Sequence, residues 1–372
     1  MHTTTAPLTV DKMINVVVVG AGLSGLTAAF LLHEQGFRVR VLERQNRIGG
    51  RIDALYDSKG RYLADFGPSW VWPPYQPLAA QWIERLGVTL EPQFDKGDAI
   101  ADLSESESGR RQFLPGQDGI SRIKGGPSAL IDALSAHLPE AAIETGISVS
   151  RLAQERDGLQ IIANTGKFQA EYAVLAVPPR IARQTFAFTP DLKADVSSAM
   201  DAAPTWMAPQ AKAVLVYEKP FWRDHGMSGR VASRIGPLIE IHDMGNSDDD
   251  RGILFGFLGV PHELRAQHAD AMRAAIIAQM QRCFGAEGEN PLTLEIKDWA
   301  TDPAIAARLD LTMPPAHPEI LPEIIRAPLY DGRLHFAGAE TATRSPGLIE
   351  GAFDAGTRAA NQIIAARDRT SA

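Results

Sequence analysis

Three glycines at positions 20, 22 and 25, an acid at 43 and a lysine at 212 inside an apolar run are the residues whose type and spacing can do chemistry. Gly20, Gly22 and Gly25 follow a β-branched stretch (residues 15–19) and precede Leu23, Leu26, Thr27, Phe30 and Leu31, which recur at helical spacing as far as Gly36. That order predicts a strand, a tight turn and a helix. Gly20 serves the turn, Gly22 the close approach of backbone to a pyrophosphate, and Gly25 the close contact of helix with strand. The helix N-terminus adds N–H groups and partial positive charge for the phosphates. A second strand over residues 37–43 ends in Glu43, about 20 residues beyond the glycines, where a carboxylate accepts hydrogen bonds from an adenosine ribose and repels a 2′-phosphate. The spacing therefore predicts a dinucleotide whose adenosine ribose is unphosphorylated, and it disfavours NADP.

Two further groups sit nearby in the sequence. Gly49, Gly50 and Arg51 in RQNRIGGR offer close backbone approach and a guanidinium for a phosphate or a flavin edge. Residues 63–73, LADFGPSWVWP, read as a strand and turn carrying Gly67, Trp70 and Trp72. Lys212 lies in AKAVLVYEKPFW, where alternation puts Ala211, Ala213, Leu215 and Tyr217 on one face and Lys212, Val214 and Val216 on the other. Both faces are apolar, so this lysine either reaches water at a strand end or is buried for a reason.

The elements that must position these residues belong to a chain of 372 residues, long enough for two domains or one domain with a large insertion. With 45% hydrophobic and 22% charged residues it has the composition of an ordinary globular protein. A net charge of -8 with no long basic cluster argues against nucleic acid as partner. The single cysteine, Cys283 in QMQRCFG, excludes an intramolecular disulfide and reads as a small buried hydrophobe. The first residues lack the pattern of a secretory signal, and no run of about 18 apolar residues occurs, so neither a membrane partner nor a membrane anchor is expected and the expected location is the cytoplasm. No H-E-x-x-H, serine elbow or metal cluster occurs, so no metal site is expected. The segment after residue 79 reads as an amphipathic helix leading into a serine-rich loop (104–111), and residues 245–252 as a solvated loop. His242 and Asp243 lie in a strand where a structural role is the simpler reading.

The C-terminal stretch LHFAGAETATRSPGLIEGAFDAGTRAANQII, residues 334–364, shows a short strand opening into a turn and then a helix with Ala352, Phe353, Gly356, Ala359, Ala360 and Ile363 on its apolar spacing. Together with GPSWVWP, IKGGPSALIDAL, YAVLAVPP, Phe221-Trp222 and Trp299 in DWATDP, it resembles the flavin monoamine oxidase family, which includes polyamine and L-amino-acid oxidases. The resemblance implies an α/β fold with a Rossmann-like doubly wound FAD-binding domain (13–78, 120–201 and 302–372) and an inserted mixed α+β substrate domain (79–119 and 202–301). It implies FAD held by Gly20, Gly22, Ser24, Gly25, Glu43, Arg44, Gly50, Arg51, Gly67, Pro68, Ser69, Trp70, Val149, Trp299, Gly338, Glu340, Leu348 and Ile349, with Val149 near the adenine. The N-terminus of the last helix would point its dipole at the flavin. Lys212 would be the catalytic residue, reaching flavin N5 through a water and stabilising superoxide as oxygen is reduced.

The implied reaction is hydride transfer from the carbon next to an amine nitrogen to flavin N5, imine hydrolysis, and reoxidation by O2 to hydrogen peroxide. The partners are then a small-molecule amine and O2, and a homodimer is compatible with the pattern. Alternatives are a desaturase or dehydrogenase of the same superfamily with another electron acceptor, and a flavin-binding protein without turnover. Four features depart from the family. The stretch AIAARLDLTMPP lacks the cysteine that attaches FAD in many members, so FAD should be non-covalent. The two aromatic positions that sandwich the amine fall near Leu309 and at Leu348, with Trp70, Trp72 and Trp206 as candidates to compensate. GPSWVWPP offers no arginine to clamp an amino-acid carboxylate, and Pro68 stands where a second glycine is usual.

Overall fold

In the computed structural model, which describes residues 14–104, 109–113, 118–245 and 250–371, the first strand (Ile14–Val19) is buried on both faces. The chain start, residues 105–108 of the serine-rich loop and residues 246–249 of the solvated loop lie outside the described residues. Val16 and Val18 enter one core with Leu26, Phe30, Leu130, Leu134 and Phe353. Val17 and Val19 enter another with Leu152, Ile161, Val196 and Met200. A strand covered on both sides needs an uninterrupted apolar run, which is what this one has.

Around it stands an eight-stranded sheet. Val39–Leu42 and Gly166–Leu175 flank the first strand in parallel, Ile143–Glu144 extends the sheet beyond the former, and Leu334–Phe336 pairs in parallel with residues 173–175. Val149–Glu155 and Gly158–Ala163 join as an antiparallel excursion from Gly166–Leu175, and Ala187–Thr189 closes the edge in parallel.

The helix Leu23–Glu34 is apolar nearly all round because it is sandwiched: the sheet lies on one side and the C-terminal helix Ile349–Ser371 on the other. Two glycines set these distances. A Cβ at Gly25 would stand 2.0 Å from Gly20 O, and one at Gly356 would stand 2.3 Å from Ser24 O. The first helix ends at Gly36, whose φ of +80° lets the Gly36 and Phe37 amides close the last turn on His33 and Leu32.

The helix Pro77–Arg85, expected with the inserted region from residue 79 on, packs instead into the core of the first helix. Its stripe Ala79, Trp82 and Ile83 is buried, Trp82 stacks on Phe353 at 5.2 Å, and Phe30 meets its edge at 5.7 Å. The N-terminus of this helix is capped from the C-terminal helix, where the Glu350 carboxylate accepts the Ala79 N–H at 2.5 Å. Neither partner is local in sequence, so periodicity alone shows the stripe but not what covers it.

A second sheet of seven strands runs Thr293–Asp298, Ala211–Tyr217, Gly252–Leu258, Leu238–Asp243, Met227–Ser233, Asp98–Asp102 and Arg110–Gln112. One face, through Ala211, Ala213 and Leu215, packs under the helix Ala269–Phe284, where Cys283 is buried as expected. The other face, through Val214, Val216 and Phe255, turns toward Leu63 and Ala64. The alternation read from the sequence holds, and it aims Lys212 at the segment around Gly67. Among the described residues no helix is long and apolar enough to cross a membrane.

Candidate active site

A cavity of about 650 Å³ gathers most of the residues singled out by the sequence. Gly20, Gly22, Ser24, Glu43, Arg44, Gly50, Arg51, Gly67, Pro68, Ser69, Trp70, Val149, Lys212, Trp299, Leu348 and Ile349 all line it. Gly25, Gly338 and Glu340 do not. Gly25 packs helix on turn, and Gly338 passes close to Val177, where a Cβ would stand 2.5 Å from the carbonyl oxygen.

At one end the floor is bare backbone. Gly22 pairs with Gly49 across a parallel bridge, and the space a Gly22 side chain would take opens toward Gly49 and Gly50. Gly49 and Gly50 both have positive φ, +108° and +60°, so this turn depends on glycine. Glu43 is held rigidly: one carboxylate oxygen accepts the Ala21 N–H and the other the Gln45 N–H, each at 2.8 Å. Each oxygen keeps a lone pair for further donors such as ribose hydroxyls. Ile147, Ser148 and Val149 form the adjoining wall, tied to this end by the Ile147 amide on the Glu43 carbonyl. Arg44 reaches the Pro303 carbonyl at 3.1 Å.

Arg51 links the two distant motifs. Its Nη1 donates to Glu340 Oε1 at 2.6 Å across 289 residues of sequence, and Glu340 is fully buried. The other oxygen, Glu340 Oε2, has no partner in the protein. A buried carboxylate oxygen without a donor calls for one, and a ligand hydroxyl beside Arg51 would supply it. The bare glycine floor, the acid positioned for a ribose and this orphaned oxygen together fit a dinucleotide with a polyhydroxyl chain, as in FAD. The first turn of the C-terminal helix, through Ile349 and Ala352, also faces the cavity and brings the positive end of its dipole there.

At the other end Lys212 is 3% exposed, and its Nζ donates to Gly67 O at 2.6 Å and Ser69 Oγ at 2.8 Å. Phe255 and Phe257 place ring faces 4.4 and 5.4 Å from the ammonium. Burial pulls the Lys212 amine down to about 7; the Asp65 carboxylate opposes that shift and Arg122 adds to it. Asp65, equally buried, is pushed up to about 6 by burial, while Lys212 and Arg122 hold it lower than burial alone would. Pro68 lines the cavity between the two anchors of Lys212. Trp299 donates its indole N–H to Phe66 O at 3.1 Å and lies under Lys297 at 4.7 Å.

The aromatic wall differs from the sequence expectation. Leu348 lines the cavity but Leu309 does not. Trp70, Trp72 and Trp206 do converge on it, joined by Phe66, Phe257 and His317, for which no motif or spacing signalled a place in the site. Trp70 and Trp72 meet edge to face at 6.3 Å. His242 stays outside the lining; its Nε2 pairs with Glu240 at 2.6 Å and its ring stacks on Phe255.

Comparison with known proteins places this geometry among relatives. Residues 18–86 match the model of the NAD(P)-binding Rossmann-like domain. A probable flavin-containing monoamine oxidase A of Dictyostelium discoideum is 22% identical over 95% of this chain and 98% of its own length. An L-amino acid dehydrogenase of Synechocystis is 26% identical over 94% of both chains. In three dimensions the chain superimposes on cyclohexylamine oxidase from Brevibacterium oxydans with a TM-score of 0.82, at 18% identity, covering 96% of this chain and all of that one. A putrescine oxidase gives a TM-score of 0.78 at 20% identity, over 95% and 99%. The model for flavin-containing amine oxidoreductases runs from residue 100 to 364 and takes in the Lys212 strand, Trp299 and the Glu340 motif as one unit, so the chain belongs to that family of FAD-dependent oxidoreductases.

Proposed function

We propose that the protein oxidises an uncharged monoamine at the Lys212 end of the cavity, taking a hydride from the carbon next to nitrogen and releasing an imine that hydrolyses. Oxygen then accepts the electrons and leaves as hydrogen peroxide. The observation that carries this reading is one buried lysine opening, amid aromatic and aliphatic groups, on the same cavity as the glycine turn and Glu43. Bound FAD supplies the hydride acceptor and the two-electron store.

The chain's own residues have distinct tasks. Phe66, Trp70, Phe257 and Leu348 exclude water and favour the neutral amine, since a desolvated ammonium without a counter-ion is costly. Among the described residues Glu43 is the one acid in the lining, and it belongs to the ribose end, so a second ammonium finds no carboxylate in the wall near Lys212. The arginines of the lining, Arg44 and Arg51, are engaged with Pro303 and Glu340, which argues against an α-carboxylate as an anchor. Lys212, held by Gly67 and Ser69, presents positive charge where negative charge builds on oxygen. FAD is retained without a covalent link: the single cysteine, Cys283, is buried under the second sheet, away from the cavity lining.

The test is an anaerobic titration of the yellow protein with primary amines, diamines, amino acids and cyclic amines, followed by air. Bleaching by a monoamine with peroxide formed on aeration is expected. Bleaching with slow reoxidation would instead mark a dehydrogenase, the activity named for the Synechocystis relative. No bleaching by any amine would sink the proposal. Acid precipitation should leave FAD in the supernatant.

A further inference from the structure

Beside the main cavity a second chamber of about 280 Å³ lies between residues 204–210 and 310–317. Trp206, Met207, Gln210 and His317 line both spaces, so these four residues stand between them. The Trp206 and His317 rings face each other across 4.4 Å at a tilt of 50°. Behind Trp206 is Gly347, where a Cβ would stand 2.7 Å from Trp206 Cβ, so the base of the tryptophan side chain is seated against the loop that leads to Leu348.

The frame is rigid. Arg180 Nη1 donates to Asp310 Oδ1 at 2.8 Å, the same oxygen accepts the Thr205 N–H at 2.9 Å, and both charged side chains are buried. Prolines 204, 209, 314 and 315 stiffen the two segments. Its outer wall, residues 314–316, is exposed, so the chamber reaches the surface.

We infer that this chamber is a second compartment of the substrate site and holds the apolar tail of an amine whose nitrogen end lies beside Lys212. The inference rests on the amine reading above. Gln210, in the shared wall, precedes Lys212 by two residues, which is about 7 Å along an extended chain. Arg180 and Asp310 cancel each other, and the rest of the wall is four prolines, Ala316, Trp206 and Met207 with the uncharged polar groups of Thr205 and Gln210 and the His317 ring. The carboxylate of Asp310 is spent on Arg180 and Thr205, so such a space suits an uncharged group and gives a second ammonium no counter-ion. The substrate class is therefore a long-chain or arylalkyl monoamine rather than a diamine.

Ala316 lines the chamber and not the main cavity, and it is exposed, so Ala316→Phe fills the chamber without loading the core. With the holoenzyme, kcat/KM for n-alkylamines from butyl to decyl is expected to rise roughly fourfold per methylene once the chain outgrows the main cavity. Octylamine should exceed 1,7-diaminoheptane at least tenfold. Ala316→Phe should lose at least tenfold more on octylamine than on butylamine. Equal losses on both amines, or no loss on octylamine, would overturn the inference. If no amine is oxidised at all, the functional reading fails by itself. The chamber is then judged by 19F NMR of protein carrying 5-fluorotryptophan. The Trp206 resonance, assigned with Trp206→Phe, should shift more with octan-1-ol than with butan-1-ol in the parent, and that difference should vanish in Ala316→Phe; a parent resonance that responds alike to both alcohols, or a difference kept in Ala316→Phe, refutes the chamber.

Discussion

Replacing Lys212 by methionine keeps the length of the side chain and removes its charge, its bonds to Gly67 and Ser69, and its contact with the Phe255 ring. Burial holds this amine near 7, far below an ordinary lysine, with Asp65 opposing the shift. The sign follows directly: the ammonium is lost as pH rises through about 7. With the ammonium as the form that assists oxygen, the reoxidation rate constant falls as pH rises through that range. A preorganised charge in a dry site contributes on the order of 10²–10³ in rate, so Lys212→Met should reoxidise slower by that factor, with the pH dependence gone. The assay is stopped-flow mixing of anaerobically reduced enzyme with oxygenated buffer, following the return of the oxidised flavin spectrum. Asp65→Asn should move the midpoint down, because the carboxylate is what holds the lysine charged. A Lys212→Met enzyme that reoxidises as fast as the parent, or keeps the parent's pH slope, refutes the reasoning.

Other perturbations separate packing from binding. In Gly25→Ala the new methyl meets Gly20 O at 2.0 Å, and both atoms belong to the rigid turn, so a loss of about 1–3 kcal/mol or more is expected in urea unfolding; an unchanged midpoint would show that the turn yields. Trp82→Ala removes the ring stacked on Phe353 and should cost about 3–5 kcal/mol, read from thermal unfolding of the apoprotein. A loss under about 1 kcal/mol would mean that Pro77–Arg85 is not part of that core. Glu340→Gln leaves the part-exposed Arg51 without its anion, and losing that charged hydrogen bond should cost about 1.5–3 kcal/mol. Weaker FAD retention, measured by fluorescence titration of the apoprotein, should accompany it, and FAD binding at parental strength would remove Glu340 from the cofactor site.

Local pattern was enough for what depends on local geometry. The β-branched run before Gly20 and the alternation around Lys212 each specify which side chains share a face, and the two cores on either side of Val16–Val19 follow that alternation. Convergence is another matter. Arg51 and Glu340 meet across most of the chain, and nothing in either motif reveals that one pairs with the other. Trp206 sits in a proline-flanked loop with no periodicity, and its partner His317 lies in another, so neither segment carries a signal that they meet. Leu309, near which the resemblance puts one wall of the amine sandwich, misses the cavity for a related reason. Spacing from Trp299 does not fix where the side chains of Arg308–Thr312 point, and Leu309 is not in the cavity wall.

Three glutamates in motif positions show why residue type alone does not give a role. Glu43 is 6% exposed, lines the cavity, and has both oxygens oriented by backbone amides, so its remaining lone pairs can be offered to a ligand at a defined angle. Glu340 is fully buried and stands behind the lining; one oxygen orients Arg51 while the other, without a donor in the protein, is left for a ligand hydroxyl beside that arginine. Glu350 is 1% exposed and accepts the Ala79 amide, joining the helix Pro77–Arg85 to the C-terminal helix. A mutation of Glu350 would act on the fold and reach the site only through the seating of Ile349 and Ala352, whereas one at Glu43 acts on the ribose end directly. The C-terminal motif thus combines a residue that positions the site with one that fastens the helix presenting it, a division set by which face of the chain each carboxylate leaves.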